Sequence, residues 1–273
     1  MRRHRILPTQ GILLVSTDVH GNAEDFAKLE DHFRAETDAY WTILGDVVHA
    51  PDPESRRRSP ALYDYEDGSL WIVQRILTLQ EEFPERVLFV LGNHDHGHVG
   101  GPHPGKFYRD EVAALEARLT SSERALLFRL FNQALLAVAA PCGVLLTHAV
   151  PDTTLKDLCS LDALSLEVAA LSAQEARLLG SVLTAYGQPL EVLTEMLGNV
   201  SSSVGHTLNL LIHGHDRDPS GYFSENPHQA CPCIFGAPKE AKRFVRLELN
   251  QVYPSSAALR DGIELRRLYP GMR

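Results

Sequence analysis

Five apolar stretches of this sequence each end close to a carboxylate, an amide or an imidazole. They are residues 11–17 before Asp18 and His20, 40–48 around Asp46, 86–91 before Asn93 and His94, 144–147 before His148, and 208–212 before His213 and His215. Oxygen and imidazole ligands of this kind suit hard or borderline divalent cations. One such stretch would mean little, but five in series predict a metal site.

Asp46 is predicted to lie at the centre of that site. The apolar stretch that contains it is typical of a buried strand, which would deliver the carboxylate to the sheet edge where open α/β sheets hold ligands. Two divalent cations can share a carboxylate, activate water and orient a phosphoryl group, so we expect hydrolysis of a phosphate ester. In this interpretation the ligands are Asp18 and His20 for one cation, Asn93, His148 and His215 for the other, and Asp46 for both.

His94 is the predicted general acid. It adjoins the predicted ligand Asn93 and is followed by Asp95. We expect its imidazole to protonate the leaving oxygen. Asp95 is expected to hold the ring in position, as in other pairs of a histidine and a carboxylate.

Composition excludes several other classes of protein. The 273 residues are 44% hydrophobic, which is enough for a sizeable core, and because the predicted ligands must converge we expect one domain over residues 1–273. The net charge of -9 argues against binding to a nucleic acid backbone. The four cysteines are sparse, and no apolar run suits a signal peptide or a membrane span, so the sequence predicts a cytoplasmic protein without membrane contact.

Helices and strands are predicted to alternate along the chain. One predicted helix follows Asn22, and others cover 69–83, about 108–119, and from Ser121 or Ser122 to 131. A helical layer or cap is predicted over about 161–198. Further predicted strands are 134–140, which forms a hairpin with 144–147, and then 230–235 and 243–249. Segment 51–68 lacks periodicity and is predicted to be a functional loop. Segments 94–105 and 201–203 are also predicted loops, because Gly and Pro or consecutive serines dominate them.

The predicted ligands also match the motifs of a known family. D-x-H-G begins at Asp18, G-D at Gly45 and G-N-H-D at Gly92, and a lone His148 and a final G-H at Gly214 follow. Together, over about residues 12–250, they resemble the calcineurin-like metallophosphoesterases. The resemblance implies a four-layer α/β/β/α sandwich with two mixed sheets and outer helices. It implies a first metal on Asp18, His20 and Asp46, a second on Asp46, Asn93, His148 and His215, and a catalytic pair of His94 and Asp95.

Within this superfamily, the C-terminal part resembles the serine/threonine phosphoprotein phosphatases. Gly221-Tyr222 and residues 234–238 follow His215 in the order of that branch's motifs, and Arg217 stands where many phosphodiesterases have a second metal-binding histidine. Three features differ from the branch. Its phosphate-binding arginine in G-D-x-V-D-R-G corresponds to Ala50, its tyrosine after F-S-A-P-N corresponds to Glu240, and no second arginine stands just before the final histidine. G-N-H-D resembles the bacterial diadenosine polyphosphate hydrolases instead.

A different cation is therefore expected to bind the phosphate. Arg56, Arg57 and Arg58 follow Asp46 on a predicted loop long enough to fold back over the site, and Arg217 lies two residues beyond a predicted ligand. Guanidinium groups suit a phosphate because they donate in a bidentate fashion. We predict this role for the three consecutive arginines, with Arg217 as the alternative.

The sequence alone leaves several interpretations open. His213 competes with His215 as a ligand, His96, His98 and His103 form either an extra metal site or a solvated loop, and Cys231 and Cys233 serve either packing or redox chemistry. The expected substrate is a phosphoprotein or a small phosphoester, cleaved by a phosphatase-like monoesterase with two divalent cations, manganese first and iron or zinc as alternatives. A nucleotide or dinucleoside polyphosphate hydrolase is the alternative enzyme. A pseudoenzyme that keeps the fold only to bind a partner is disfavoured, because such a protein would not need every metal-binding residue together with His94.

Overall fold

Two mixed sheets form the centre of the protein. The computed structural model describes residues 2–271. Within them the strands are β1 His4–Ile6, β2 Ile12–Ser16, β3 Ala39–Ile43, β4 Val87–Phe89, β5 Ala137–Ala140, β6 Val144–Leu146, β7 Leu210–Ile212, β8 Tyr222–Phe223, β9 Gln229–Pro232, β10 Arg243–Glu248 and β11 Leu265–Arg267. The first sheet has the order β1-β5-β6-β7-β9-β8, and the second has the order β11-β10-β2-β3-β4. Parallel and antiparallel neighbours occur in both, so the predicted pair of mixed sheets is confirmed.

Helices flank the two sheets. They are α1 Ala23–Arg34, α2 Pro53–Arg58, α3 Pro60–Tyr63, α4 Ser69–Glu82, α5 Asn93–His96, α6 Glu111–Glu116, α7 Ser121–Asn132, α8 Ala173–Thr184 and α9 Leu190–Val204. Segment 161–198, predicted as a helical layer or cap, contains α8 and the first part of α9, which continues to residue 204. None of the helices within residues 2–271 is both long and apolar enough to cross a membrane.

The alternating direction of side chains along a strand explains how the sheets and helices stack in layers. Leu13 and Val15 of β2 lie in the same apolar cluster as Leu146 of β6, which belongs to the other sheet. Leu14, between them, lies in a second cluster with Phe26 of α1. Successive side chains of a strand point to opposite faces, so one face of β2 packs against the other sheet and the opposite face packs against helices.

Some predicted loops are helical. Segment 51–68 contains α2 and α3, because Pro53 occupies the first turn of α2 and the Asp52 side chain accepts hydrogen bonds from the backbone N of Glu54 and Ser55. Segment 94–105 begins inside α5, and residues 201–203 lie inside α9. The short strands β1, β8 and β11 were not predicted, since none of them contains three consecutive apolar residues.

Candidate active site

Sharp turns at the ends of the strands carry the predicted ligands. Left-handed backbone angles occur at Asp18 (φ 49°), His20 (φ 42°), Asp46 (φ 50°) and His215 (φ 67°). Residues other than glycine rarely adopt this conformation, which costs on the order of 1–3 kcal/mol each. The rest of the fold therefore stabilises four strained residues in three turns, and their side chains converge at one edge of the sheets.

Two glycines bring the turn of Asp46 against the turn of Asn93. A Cβ on Gly45 would lie 2.3 Å from the backbone N of Gly92, and a Cβ on Gly92 would lie 2.3 Å from the backbone N of Asp46. Only glycine allows backbones to approach so closely. As a result, the backbone N–H of His94 donates a hydrogen bond of 2.8 Å to Asp46 Oδ1.

Asp46 lies between two groups of candidate ligands. Its Oδ2 is 3.6 Å from His20 Nε2, and its Oδ1 is 3.6 Å from His148 Nε2. Asp18 joins the first group, with its Oδ1 3.7 Å from His20 Nε2. One carboxylate thus faces both groups, as a ligand shared by two cations must do.

Asn93 and His215 complete the second group. Asn93 Oδ1 lies 3.0 Å from His148 Nε2 and 2.9 Å from His215 Nδ1. Ligand atoms of Asp46, His148 and His215 all lie within 4.8 Å of one another, so one cation could contact all three. The structure therefore brings together the six residues predicted as ligands.

Hydrogen bonds orient the histidines toward Asp46. His148 Nδ1 lies 2.6 Å from the backbone O of Leu44, and His20 Nδ1 lies 3.2 Å from the backbone O of Val48. A carbonyl oxygen can only accept, so each Nδ1 carries the proton and each Nε2 presents its lone pair to Asp46. Histidines that bind metals are commonly oriented in this way.

The charges of the site call for a cation. Asp18 and Asp46 are both buried, at 4% and 2% exposure. Burial and the charge of Asp46 raise the pKa of Asp18 to about 6. Burial would also raise the pKa of Asp46, but His148, His94 and the other nearby imidazoles outweigh it and lower that pKa. Two buried carboxylates this close are stabilised by positive charge between them, so the residues fit divalent cations.

Of the two competing histidines, His215 is the one in the ligand group. His213 Nδ1 lies 2.8 Å from the backbone O of Gly214. Its buried Nε2 has no hydrogen-bond partner among the described residues and lies outside the candidate metal clusters found there. The left-handed turn at His215 redirects that side chain toward Asn93.

His94 lies beside Asp46, but its carboxylate partner is Glu111 of α6. His94 Nε2 is 3.9 Å from Asp46 Oδ2, and His94 Nδ1 is 2.9 Å from Glu111 Oε2. Burial alone would lower the pKa of His94, but the charges of Asp46 and Glu111 outweigh burial and raise it. The imidazolium form is therefore favoured next to the cleft.

The prediction that Asp95 holds the His94 ring is wrong. Asp95 Oδ2 accepts hydrogen bonds from the backbone N of Asp46 at 2.7 Å and of Gly92 at 3.0 Å, and its Oδ1 accepts one from the backbone N of Val47 at 3.1 Å. Burial and the charge of Asp46 raise the pKa of Asp95 to about 7. Asp95 instead fixes the turn that carries Asp46.

The prediction that residues 56–58 fold back over the site is also wrong. These residues end helix α2, where Arg56 pairs with Glu66 and Arg58 pairs with Glu54. Arg56 and Arg57 line a separate surface pocket. The capped helix holds the three arginines away from the ligands.

Two other positively charged side chains line the cleft over the predicted metal ligands. This cleft, of about 550 Å³, is bordered by Lys106 and Arg217, the second of which was the alternative prediction. Lys106 Nζ lies 4.3 Å from the centre of the Phe235 ring, and that ring lies 4.2 Å from the His20 ring. Sequence reasoning missed Lys106, although this lysine directly follows the Gly- and Pro-rich segment 94–105, which was already predicted to be a loop after the G-N-H-D motif.

The other open interpretations are resolved by burial. His96 and His98 are not solvated: His96 Nε2 lies 2.6 Å from the backbone O of Leu166, and His98 Nδ1 lies 2.8 Å from Glu116 Oε1. His103 is exposed and pairs with a different carboxylate, so the three histidines do not converge. Cys231 and Cys233 are buried with free thiols, and burial raises the pKa of Cys231, which agrees with packing.

Comparisons with known proteins agree with this geometry. The sequence model of the calcineurin-like phosphoesterase family matches residues 12–216. No curated protein matches the chain. Among solved structures, a protein serine/threonine phosphatase from Saccharomyces cerevisiae with similarity to human phosphatase PP5 is 12% identical, with a TM-score of 0.58 over 90% of this chain and 76% of that one. A cold-active protein-tyrosine phosphatase from a psychrophilic Shewanella species is 14% identical, with a TM-score of 0.57 over 92% of this chain and 78% of that one. At these identities the likeness concerns the fold alone.

Proposed function

Because the chain belongs to the calcineurin-like phosphoesterase family, we propose that it is a metal-dependent phosphomonoesterase with two divalent cations around Asp46. The observation that carries this proposal is that the two oxygens of Asp46 face two separate ligand groups. Bound cations would supply Lewis acidity and an activated water to such a site. Manganese is our first choice, with iron and zinc as alternatives, because all three accept mixed carboxylate and imidazole ligands.

His94 supplies the proton for the leaving oxygen in this proposal. Its Nε2 is on the side of Asp46 and the cleft, and Glu111 stabilises the imidazolium from the other side. A protonated imidazole at that position can donate to an alkoxide as it leaves. Asp95, predicted as half of the catalytic pair, contributes by holding the Asp46 turn.

Lys106 is the cation that we propose for the phosphate dianion. It lines the cleft with Asp18, His20 and Asp46, whereas residues 56–58 do not. The ammonium packs over Phe235, which places it at the rim rather than among the ligands. Arg217, on the same rim, provides a second positive charge.

Replacing Lys106 with methionine should raise KM for phosphate monoesters. Methionine has a similar length and keeps the apolar contact with Phe235, but it removes the charge that attracts the dianion. We expect a rise of roughly tenfold or more, since hydrogen bonds to charged groups contribute about 1.5–3 kcal/mol. Steady-state kinetics with aryl monoesters and diesters measures it, and the effect on the singly charged diesters should be smaller.

The matched control is the triple change of Arg56, Arg57 and Arg58 to alanine. That variant removes three positive charges outside the cleft, so its monoester KM should stay at the wild-type value. Metal content should be unchanged in both variants. An unchanged KM in Lys106→Met, or a raised one in the triple variant, would contradict the assignment.

Tyr186 supports a second candidate function. Its side chain is 65% exposed, lines the same cleft and lies 4.8 Å from the His215 ring between ring centres. An exposed aromatic face can stack on a nucleobase. Together with the G-N-H-D motif, this favours a nucleotide or dinucleoside polyphosphate hydrolase as the alternative.

A substrate panel tests the two functions against each other. Phosphopeptides, aryl monoesters, aryl diesters and dinucleoside polyphosphates are assayed with added Mn²⁺. The proposal expects the highest kcat/KM for monoesters, phosphopeptides or aryl phosphates. Preference for dinucleoside polyphosphates would support the second function, and absence of hydrolysis across the panel would indicate a binding protein.

A further inference from the structure

A second buried cluster lies behind His94, on the side away from the cleft. It consists of His49, His94 and Glu111, and we call it the rear cluster. The side chains of these three residues are 1%, 6% and 0% exposed. They come from the turn after β3, from α5 and from α6, so three separate elements converge there.

The distances in the rear cluster fit a metal ion. His49 Nδ1 lies 3.1 Å from His94 Nδ1 and 3.6 Å from Glu111 Oε2, and His94 Nδ1 lies 2.9 Å from Glu111 Oε2. Zinc binds nitrogen and oxygen ligands at about 2.0–2.2 Å in a tetrahedral arrangement, which separates neighbouring ligand atoms by about 3.3–3.5 Å. The separation of His49 Nδ1 and Glu111 Oε2 is close to this value, and the two shorter distances would have to lengthen by about 0.2–0.6 Å around an ion.

Hydrogen bonds among the three residues leave one acceptor unsatisfied. Glu111 Oε1 accepts a hydrogen bond of 2.6 Å from the backbone N of Phe107, whereas its buried Oε2 has, among the described residues, only the ion-pair contacts with the Nδ1 atoms of His94 and His49. His94 Nδ1 lies 3.1 Å from His49 Nδ1 and 2.9 Å from Glu111 Oε2, so a single proton there cannot serve both neighbours fully. An incompletely paired polar atom is costly when buried, whereas a cation at the centre would contact all three atoms.

Further residues support His49 as a ligand. His49 Nε2 lies 3.0 Å from His98 Nε2, and His98 Nδ1 lies 2.8 Å from Glu116 Oε1. Metal-binding histidines usually have the second ring nitrogen hydrogen-bonded in this way, which fixes the ring. This series of hydrogen bonds ends at the carboxylate of Glu116, whose side chain is 36% exposed.

We propose that the rear cluster is a third cation site, selective for zinc. Two imidazoles and one carboxylate form the ligand set that zinc prefers, and they disfavour Mg²⁺ and Ca²⁺, which need more oxygen ligands. An ion there would occupy the Nδ1 lone pair of His94 and leave Nε2–H as the only ring proton, and this neutral ring is a weaker acid than the imidazolium. Under the role proposed above for His94, excess zinc would then inhibit the enzyme, and this consequence alone rests on the proposed function.

Zinc content per chain tests the third site without an assay of turnover. The protein is dialysed against dilute Zn²⁺, and its zinc content is measured by elemental mass spectrometry. We expect three zinc ions per chain. Glu111→Gln and His49→Gln should each hold two, because they keep the ligands around Asp46. Glu81→Gln removes an exposed carboxylate of α4 that pairs with Arg129 outside the rear cluster and is the matched control, with three ions expected.

The Asp46→Asn variant separates this inference from the proposed function. It should keep one zinc ion, in the rear cluster, and the double variant Asp46→Asn with Glu111→Gln should keep none. Two ions in the wild type, three in both rear-cluster variants, or none in Asp46→Asn would overturn the proposal. Because ions are counted, three ions in a protein that hydrolyses nothing in the panel would refute the proposed function and leave the third site standing.

Discussion

Replacing Asp46 with asparagine should remove the bound manganese and abolish hydrolysis. Each oxygen of Asp46 faces a different ligand group, so one substitution weakens the binding of both cations. The amide also removes the negative charge that the surrounding imidazoles favour at this position. Manganese content should fall from two ions per chain to none, and kcat should fall to the uncatalysed level. Metal analysis and a turnover assay on the same preparation measure both.

Asp31→Asn is the control for the Asp46 substitution. Asp31 lies on the exposed side of α1 and pairs with Lys28 across one helical turn, so the same chemical change there should alter neither metal content nor kcat. An Asp46→Asn enzyme that stays fully active with one bound ion would show that Asp46 is not shared.

Replacing His94 with asparagine should lower kcat while both manganese ions remain bound. His94 approaches Asp46 without belonging to either ligand group of the proposal, and its imidazolium is stabilised by Glu111. Loss of a general acid typically costs 10²–10⁴-fold in rate, and we expect a decrease of about that size with alkyl phosphates. Steady-state kinetics together with metal analysis on the purified variant measures it.

Leaving groups distinguish general acid catalysis from a structural effect. Activated aryl phosphates need little protonation of the departing oxygen, so the His94→Asn deficit should shrink with them. His103→Asn, at an exposed histidine outside the ligand groups, should leave all rates unchanged. Equal losses on good and poor leaving groups would argue against the role of His94.

The ligand set could be predicted from sequence because each member directly follows an apolar strand. The carboxyl ends of the inner strands meet at one edge, so adjacency in sequence became adjacency in space for Asp18, Asp46, Asn93 and His148. His213 and His215 could not be separated in this way. Only the left-handed turn at His215 shows which of the two rings faces the site.

The groups around the ligands could not be predicted, since they come from elements without such a pattern. Glu111 reaches His94 from α6, seventeen positions along the chain, whereas the adjacent Asp95 turns toward the backbone of Asp46. Proximity in sequence suggested the wrong carboxylate. Likewise, Arg56 followed Asp46 closely in sequence, but ion pairing and a helix cap turned its segment away, and Lys106 took the place at the cleft.

Restoring manganese to the metal-free protein shows whether hydrolysis requires two bound cations. Protein freed of metal with a chelator is assayed with an aryl phosphate monoester while Mn²⁺ is restored stepwise, and bound manganese is measured at each step. We expect no hydrolysis above background without metal and a maximum at two manganese ions per chain. Full hydrolysis by the metal-free protein, or a maximum at a single bound ion, would contradict it.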